Sequence, residues 1–247
     1  MATAGLFLPV FETGCSSGKK TTTAEVLLNE RMAAVLLRDG QAREAEEAYR
    51  EVVRSDPKNA ELHDGLGVAL MMQRKITESL GSFDRAVKFA PEKALYRIHR
   101  GMALTELGRY READEDFRAA EASPAPEDRL DVNINRGRLR QRQGDYTGAE
   151  AEFTTALARN PKSFPARIGR GVAREARGDF PAAAEDYLEA VHLDPKSPEA
   201  NLRLGLALVT LKKNALGRRY LERTIELDPA GDAGAKARLL LESTPAS

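Results

Sequence analysis

The chain has one cysteine, Cys15, among its 247 residues. An internal disulfide framework and a cysteine-built zinc site are therefore excluded. Tryptophan is absent, and aromatics make up 6%. The histidines are His63, His99 and His192, spaced too widely in sequence for a metal motif. Net charge is zero at neutral pH, so nothing draws the whole chain to nucleic acid or anionic lipid. No apolar run approaches the ~18 residues of a membrane-spanning helix. β-Branched residues are few, while alanine, arginine, glutamate and leucine dominate. With 42% hydrophobic and 31% charged residues, the sequence is foldable and biased to helix.

Its proline and glycine are periodic. Pro57, Pro91, Pro161, Pro195 and Pro229 stand in near-identical contexts: SDPKN, FAPEK, RNPKS, LDPKS and LDPAG. Gly67, Gly101, Gly137, Gly171 and Gly205 follow the same step of 34 residues, with two extra residues between the third and fourth copies. Ala33 holds the matching place one period earlier. Ala45, Ala113, Ala149 and Ala183 fall in register, as do Tyr49, Phe83, Phe117, Phe153 and Tyr187. A period of this length marks a stacked repeat architecture.

This pattern resembles the tetratricopeptide repeat (TPR). A small residue fills the eighth slot, alanine the twentieth, an aromatic the twenty-fourth, alanine the twenty-seventh and proline the thirty-second. Six repeats are expected: 26–59, 60–93, 94–127, 130–163, 164–197 and 198–231. The usual fourth-slot tryptophan is missing. The last copy carries Gly217 and Leu221 where alanine and an aromatic are usual, as in a terminal repeat. The resemblance implies an all-α, right-handed solenoid of six helix-turn-helix repeats. Residues 232–243 would form a C-terminal capping helix, and 244–247 a tail. A hairpin of two amphipathic helices cannot bury its apolar face alone, so neighbours must stack. The proline-rich junction at 124–129 is the expected place for a change in superhelical angle.

Two slots change together. Arginine occupies the seventh slot in three repeats (Arg100, Arg136, Arg170), and the same three carry an acid in the twenty-third: Asp116, Glu152, Asp186. The other repeats have neither. Across an antiparallel hairpin these slots face each other. Structural ion pairs are expected, because a half-buried guanidinium needs a partner.

By the resemblance, slots five, nine and twelve line a concave binding face. The expected groove comprises Val68, Met71, Met72, Ile98, Met102, Ile134, Arg138, Ile168, Val172, Leu202 and Leu206. Such an aliphatic surface suits an apolar-faced helix or an extended peptide, and methionines make it adaptable. The lysine- and asparagine-rich clamp of chaperone-binding TPRs is missing: Asn135 stands in a clamp-like sixth slot, but its counterparts do not match. Arg138 and Arg142 share a helix face, with Glu175 and Asp131 as candidate neutralising acids. No nucleophile elbow, metal-spaced cluster or phosphate loop occurs in the repeats, so neither catalysis nor a cofactor or metal is expected.

Residues 1–21 stand apart as a leader or tether. In LFLPVFETGCSSGKKTTTAE, Gly14 and Gly18 have three residues between them and Lys19 is followed by Lys20, which departs from the phosphate-loop motif. An apolar run, then Cys15, then a polar stretch resembles a bacterial lipoprotein signal, although no basic residue precedes the run. The alternative is an unstructured leader. In either case Thr22 would cap the first helix, with Glu25 completing a capping box. The first reading implies an envelope TPR lipoprotein of the type IV pilus pilotin or Tad/Flp-pilus kind. Such a protein would sit at the periplasmic side of the outer membrane through Cys15 and bind a secretin or pilus-assembly component. The second implies a cytoplasmic scaffold or co-chaperone. Both take a protein, not nucleic acid, as partner.

Overall fold

The fifteenth residue of each repeat decides where its first helix stops. Gly40, Gly108, Gly144 and Gly178 all have left-handed backbone there, with φ of 78°, 74°, 77° and 81°. This is the usual helix C-terminal signal, because glycine has no Cβ to clash. Arg74 (φ 63°) and Lys212 (φ 61°) adopt the same conformation without that freedom.

The computed structural model describes residues 23–124 and 126–245. They form thirteen helices: α1 (Thr23–Arg38), α2 (Ala42–Ser55), α3 (Ala60–Met72), α4 (Ile76–Phe89), α5 (Ala94–Glu106), α6 (Tyr110–Glu121), α7 (Pro126–Arg142), α8 (Tyr146–Arg159), α9 (Phe164–Ala176), α10 (Phe180–Leu193), α11 (Pro198–Thr210), α12 (Asn214–Leu227) and α13 (Asp232–Ser243). The expected all-α repeat array is what the chain adopts. Cys15 and Thr22 lie outside the described residues.

Each odd helix packs on the even helix that follows it, and each even helix on the next odd one. In addition α1 touches α3, α3 touches α5, α5 touches α7 and α7 touches α9, whereas no two even helices pack comparably. The odd helices therefore line the inner side of the array. Asn59, Ser163 and Ser197 cap α3, α9 and α11 through their side-chain oxygens. At the 124–129 junction α7 begins at Pro126, a turn earlier than its counterparts. There Ser123 Oγ donates to Asp128 Oδ2 at 2.5 Å, and Arg129 donates to the Pro124 carbonyl at 3.0 Å. The two extra residues are thus taken up as added helix.

The aromatic of the second helix is the centre of each hairpin. Phe83, Phe117, Phe153 and Tyr187 are wholly buried. Each ring rests on the eighth-slot glycine opposite: a Cβ on Gly101 would stand 2.6 Å from the Phe117 ring, and one on Gly137 2.7 Å from that of Phe153. Residues of the sixth slot close over the ring from the next hairpin. Gly65 lies against Tyr49 and Gly169 against Phe153. His99 tilts over Phe83 at 5.7 Å, and Arg203 sits 6.0 Å from the Tyr187 ring centre. The sixth slot therefore belongs to the joint between hairpins.

Glycine-to-alanine changes should consequently differ in sign along the chain. Gly137→Ala forces Phe153 aside and should destabilise by about 1–3 kcal/mol. Gly81→Ala, in α4 with nothing near its Cβ, should stabilise by about 0.5–1 kcal/mol. Lys212→Gly should also stabilise, by about 1 kcal/mol, through relief of its left-handed backbone. Urea denaturation measures all three, and equal effects for Gly137→Ala and Gly81→Ala would refute the ring-seat account.

Candidate functional site: the inner groove and the charged seams

The inner face holds a cavity of about 530 Å³ spanning the second to fifth hairpins. Met71, Ile76, Met102 and Val172 give it an apolar floor, and Arg74, Arg138, Arg142 and Glu106 bring charge. The odd helices supply Met71, Met102, Glu106, Arg138, Arg142 and Val172, while Arg74 stands in the turn after α3 and Ile76 opens α4. Val68, Met71 and Met102 are half-buried, with one side packed on the core. Val172, Leu202 and Leu206 are also half-buried.

The fifth slot of hairpins three to five does not belong to this surface. Ile98, Ile134 and Ile168 are only 2%, 6% and 8% exposed. They point into the joints between hairpins, where a bound chain cannot reach them. Met72 is freely exposed and does not line the cavity. The expected aliphatic groove thus narrows to slots nine and twelve, joined by Leu202, the half-buried fifth-slot residue of the last repeat. The sequence periodicity could not separate the two classes, because an isoleucine facing a neighbouring helix and one facing a ligand look alike.

Glu175, a twelfth-slot residue, is also turned away from Arg138 and Arg142. It accepts a hydrogen bond from the Tyr187 hydroxyl at 2.5 Å and lies 3.9 Å from Arg203. Burial first, and the Glu175 carboxylate second, push the Tyr187 hydroxyl well above the usual tyrosine range. Arg142 instead donates to Glu106 at 2.7 Å.

The seventh-slot arginines face the seams, not the groove. Arg100 grips Asp116 through Nε and Nη2, both at 2.7 Å, and reaches back to Asp84 on the preceding hairpin at 3.2 Å. Arg170 does the same with Asp186, at 2.9 and 2.6 Å. Arg136 lies 3.3 Å from Glu152, with Glu121 at 3.1 Å and Asp114 at 3.6 Å. Each first helix lies between two second helices, so its arginine ties three helices together. The Asp116 hydrogen bonds are the main reason the Arg100 guanidinium is held above its ordinary range. Asp186 is only 1% exposed and accepts from Arg170, Arg174 (2.9 Å) and Arg167 (3.4 Å).

Sequence reasoning missed the twenty-first slot. Glu46 accepts from Gln73 and Lys75 of the next hairpin, both at 2.7 Å, and from Arg50 at 2.8 Å. Burial works to raise its pKa, but the donors Lys75, Arg50 and Gln73 outweigh this and hold it at about 2. Glu150 repeats the device with Arg174 at 2.8 Å and with Arg177. Arg218, in the same slot of the last repeat, donates to the carbonyls of Leu241 (3.0 Å) and Thr244 (2.7 Å) and so pins the end of α13. The signal was a charge at slot 21 with a complementary group in the turn of the next repeat, which appears only when adjacent repeats are compared.

The comparisons agree with this architecture. A family model described as "Tetratricopeptide repeat" matches residues 31–94, 134–198 and 175–232, and a second matches 94–122. The chain belongs to the tetratricopeptide repeat family. Among curated proteins it resembles the probable UDP-N-acetylglucosamine–peptide N-acetylglucosaminyltransferase SPINDLY of Arabidopsis thaliana, with 30% identity over 45% of this chain. The chain spans only 14% of that relative's length. Among solved structures, PilW, described as a widely conserved type IV pilus biogenesis factor, superposes with a TM-score of 0.76 at 19% identity, covering 89% of this chain and 100% of PilW. PilF of Pseudomonas aeruginosa gives 0.68 at 17% identity, covering 87% and 97%. The Cut9–Hcn1 assembly of the APC/C gives 0.74 at 16%, covering 88% of this chain and 42% of the matched chain. At these identities the likeness is one of fold.

Two charge substitutions test the seams. Asp186→Ala removes the buried acceptor shared by three guanidiniums and should cost about 3–5 kcal/mol, whereas Glu226→Ala, in an exposed pair with Arg223, should leave unfolding unchanged. For Glu46 the depressed folded-state pKa means that its contribution is complete above the ordinary value of 4.5 and fades as pH falls toward about 2. Wild type should exceed Glu46→Gln by about 2–3 kcal/mol at pH 7, and the gap should close between pH 4.5 and 2. A gap that is constant over that window would contradict the assignment.

Proposed function

We propose that the chain is a non-enzymatic adaptor that binds an apolar-faced helix or an extended peptide along its inner groove. The observation that carries this is the row of half-buried aliphatic side chains on the odd helices: Val68, Met71, Met102, Val172, Leu202 and Leu206. Val68, Met71, Met102 and Val172 are packed on one side and open on the other, which is the anatomy of a surface awaiting an apolar partner. TPR proteins are interaction scaffolds, and membership in that family supports the reading. The glycosyltransferase activity in the SPINDLY name is a property of a chain of which this one spans a seventh, and nothing in the groove supplies a reacting group.

A second reading concerns setting. PilW and PilF are matched over nearly the whole length of both partners, unlike Cut9. That favours a role as an assembly factor for a pilus or secretin complex, tethered to the membrane by a lipid on Cys15. The competing reading is a cytoplasmic scaffold without an anchor.

A photoreactive residue in place of Met102 should cross-link one partner in the host cell, and the same residue in place of Leu239, exposed on α13, should not. Indistinguishable cross-linking at both positions would sink the groove. Made in its host from the native gene, wild-type protein should fractionate with membranes and Cys15→Ser with the soluble proteins. A soluble wild type would remove the anchor and leave the adaptor reading untouched.

A further inference from the structure

The inner cavity has an uneven charge. Three arginines, Arg74, Arg138 and Arg142, face one carboxylate, Glu106. Glu106 is already engaged by Arg142 at 2.7 Å and by Arg74 at 3.9 Å. Arg138 is held differently. Its Nη1 donates to Asn135 Oδ1 at 3.3 Å, and Asn135 Nδ2 in turn donates to the Asp131 carbonyl at 2.9 Å. Asn135 is 7% exposed, so its amide is fixed and its oxygen aims the guanidinium. Among the described residues no carboxylate pairs with Arg138, whereas Arg100, Arg136, Arg170 and Arg174 each hold at least one. A guanidinium kept exposed, oriented and without an acid, beside an apolar floor, is arranged to receive a carboxylate.

Arg74 adds a second cation at the mouth of this cavity. It stands in the left-handed turn position where four of the six repeats have glycine. Lys212 adopts the same backbone away from the cavity, so the strain alone does not mark a site. What matters is that the strained residue at the cavity is again cationic.

We propose that the cavity takes a peptide segment in which an aliphatic side chain adjoins an aspartate or glutamate. The aliphatic group seats on Met71 and Met102, and the carboxylate bonds Arg138. This rests on the groove reading given under the proposed function. The carboxylate belongs to a side chain, not to a chain terminus. The half-buried aliphatic row runs from Val68 and Met71 on α3, past Arg138 on α7, to Leu202 and Leu206 on α11 beyond the cavity, so a bound chain passes Arg138 in mid-course. Charge complementarity selects an acidic peptide over a basic or neutral one.

The test is selection from a library of random ten-residue peptides displayed with their C-termini fused, so that no free carboxylate terminus is offered. Wild-type protein should enrich aliphatic residues next to Asp or Glu. Arg138→Gln should keep the aliphatic enrichment and lose the acidic one. In fluorescence anisotropy, replacing the acid of a selected peptide by its amide should weaken binding to wild type about tenfold and leave binding to Arg138→Gln unchanged. Equal acid content selected by both proteins would overturn the carboxylate assignment while leaving the groove intact. Acid-free selection, with Arg138-dependent binding of the same peptides only when their C-termini are free, would overturn the side-chain assignment. Met102→Glu, with Met71→Gln as a milder companion, should abolish selection. Selection unaffected by either would end both the groove reading and this proposal.

Discussion

The structure depends on one contact, a wholly buried ring pressed onto a glycine of the opposite helix. It sets how closely the two helices of a hairpin approach. It also brings the sixth-slot residue of the next hairpin down on the far side of the same ring. Each ring thus belongs to two hairpins. That is why stability is shared between neighbours in such arrays, and why the chain needs only 6% aromatics. The repeats differ in how they close the ring: glycine over Tyr49 and Phe153, histidine over Phe83, arginine over Tyr187. A ring accepts any of these, because its face attracts cations and tolerates backbone alike.

With the rings fixing helix spacing, charge is left to fix register along the seams. Leucine is the usual seventh-slot residue of the family, and an apolar seam would be at least as stable as a buried ion pair. What the arginines add is a contact to the preceding hairpin. Arg100 bonds Asp116 within its hairpin and Asp84 in the one before, and Arg136 and Arg170 likewise reach two neighbours. A hairpin displaced by one repeat would keep its internal pair and lose only the contact to the hairpin before it. The pairs occupy hairpins three to five of the six.

The fold was legible because it follows from a period and a few residue sizes. Glycine, alanine, aromatic and proline recur at fixed slots, and each has a local physical meaning. The ion pairs were legible for the same reason, since two slots changed type together. The groove was legible only in part. Isoleucine at slot five and methionine at slots nine and twelve are all apolar on one helix, and only the inclination of the neighbouring hairpin buries the first and exposes the second. The staples at Glu46 and Glu150 were hidden because each joins one repeat to the turn of the next, so no single repeat shows them. Glu175 misled for a related reason. Its slot points inward, yet the Tyr187 hydroxyl and Arg203 draw it sideways into a seam.

The inner face collects what the seams do not use. Several carboxylates on the described helices are drawn into the seams: Asp116, Glu152 and Asp186 to the seventh-slot arginines, Glu46 and Glu150 to the next hairpin, Glu175 to Tyr187. The chain as a whole has 38 basic and 38 acidic residues, so a local withdrawal of acid leaves a local excess of base. At the cavity that excess is Arg138, held by a neutral asparagine. Net neutrality therefore gives no guide to the partner. The distribution does, because attraction between groups a few ångströms apart in a partly water-excluded groove is far less screened than the field of the whole molecule. An aliphatic floor alone would accept many apolar segments. One fixed, unpaired guanidinium above it turns a permissive surface into a selective one.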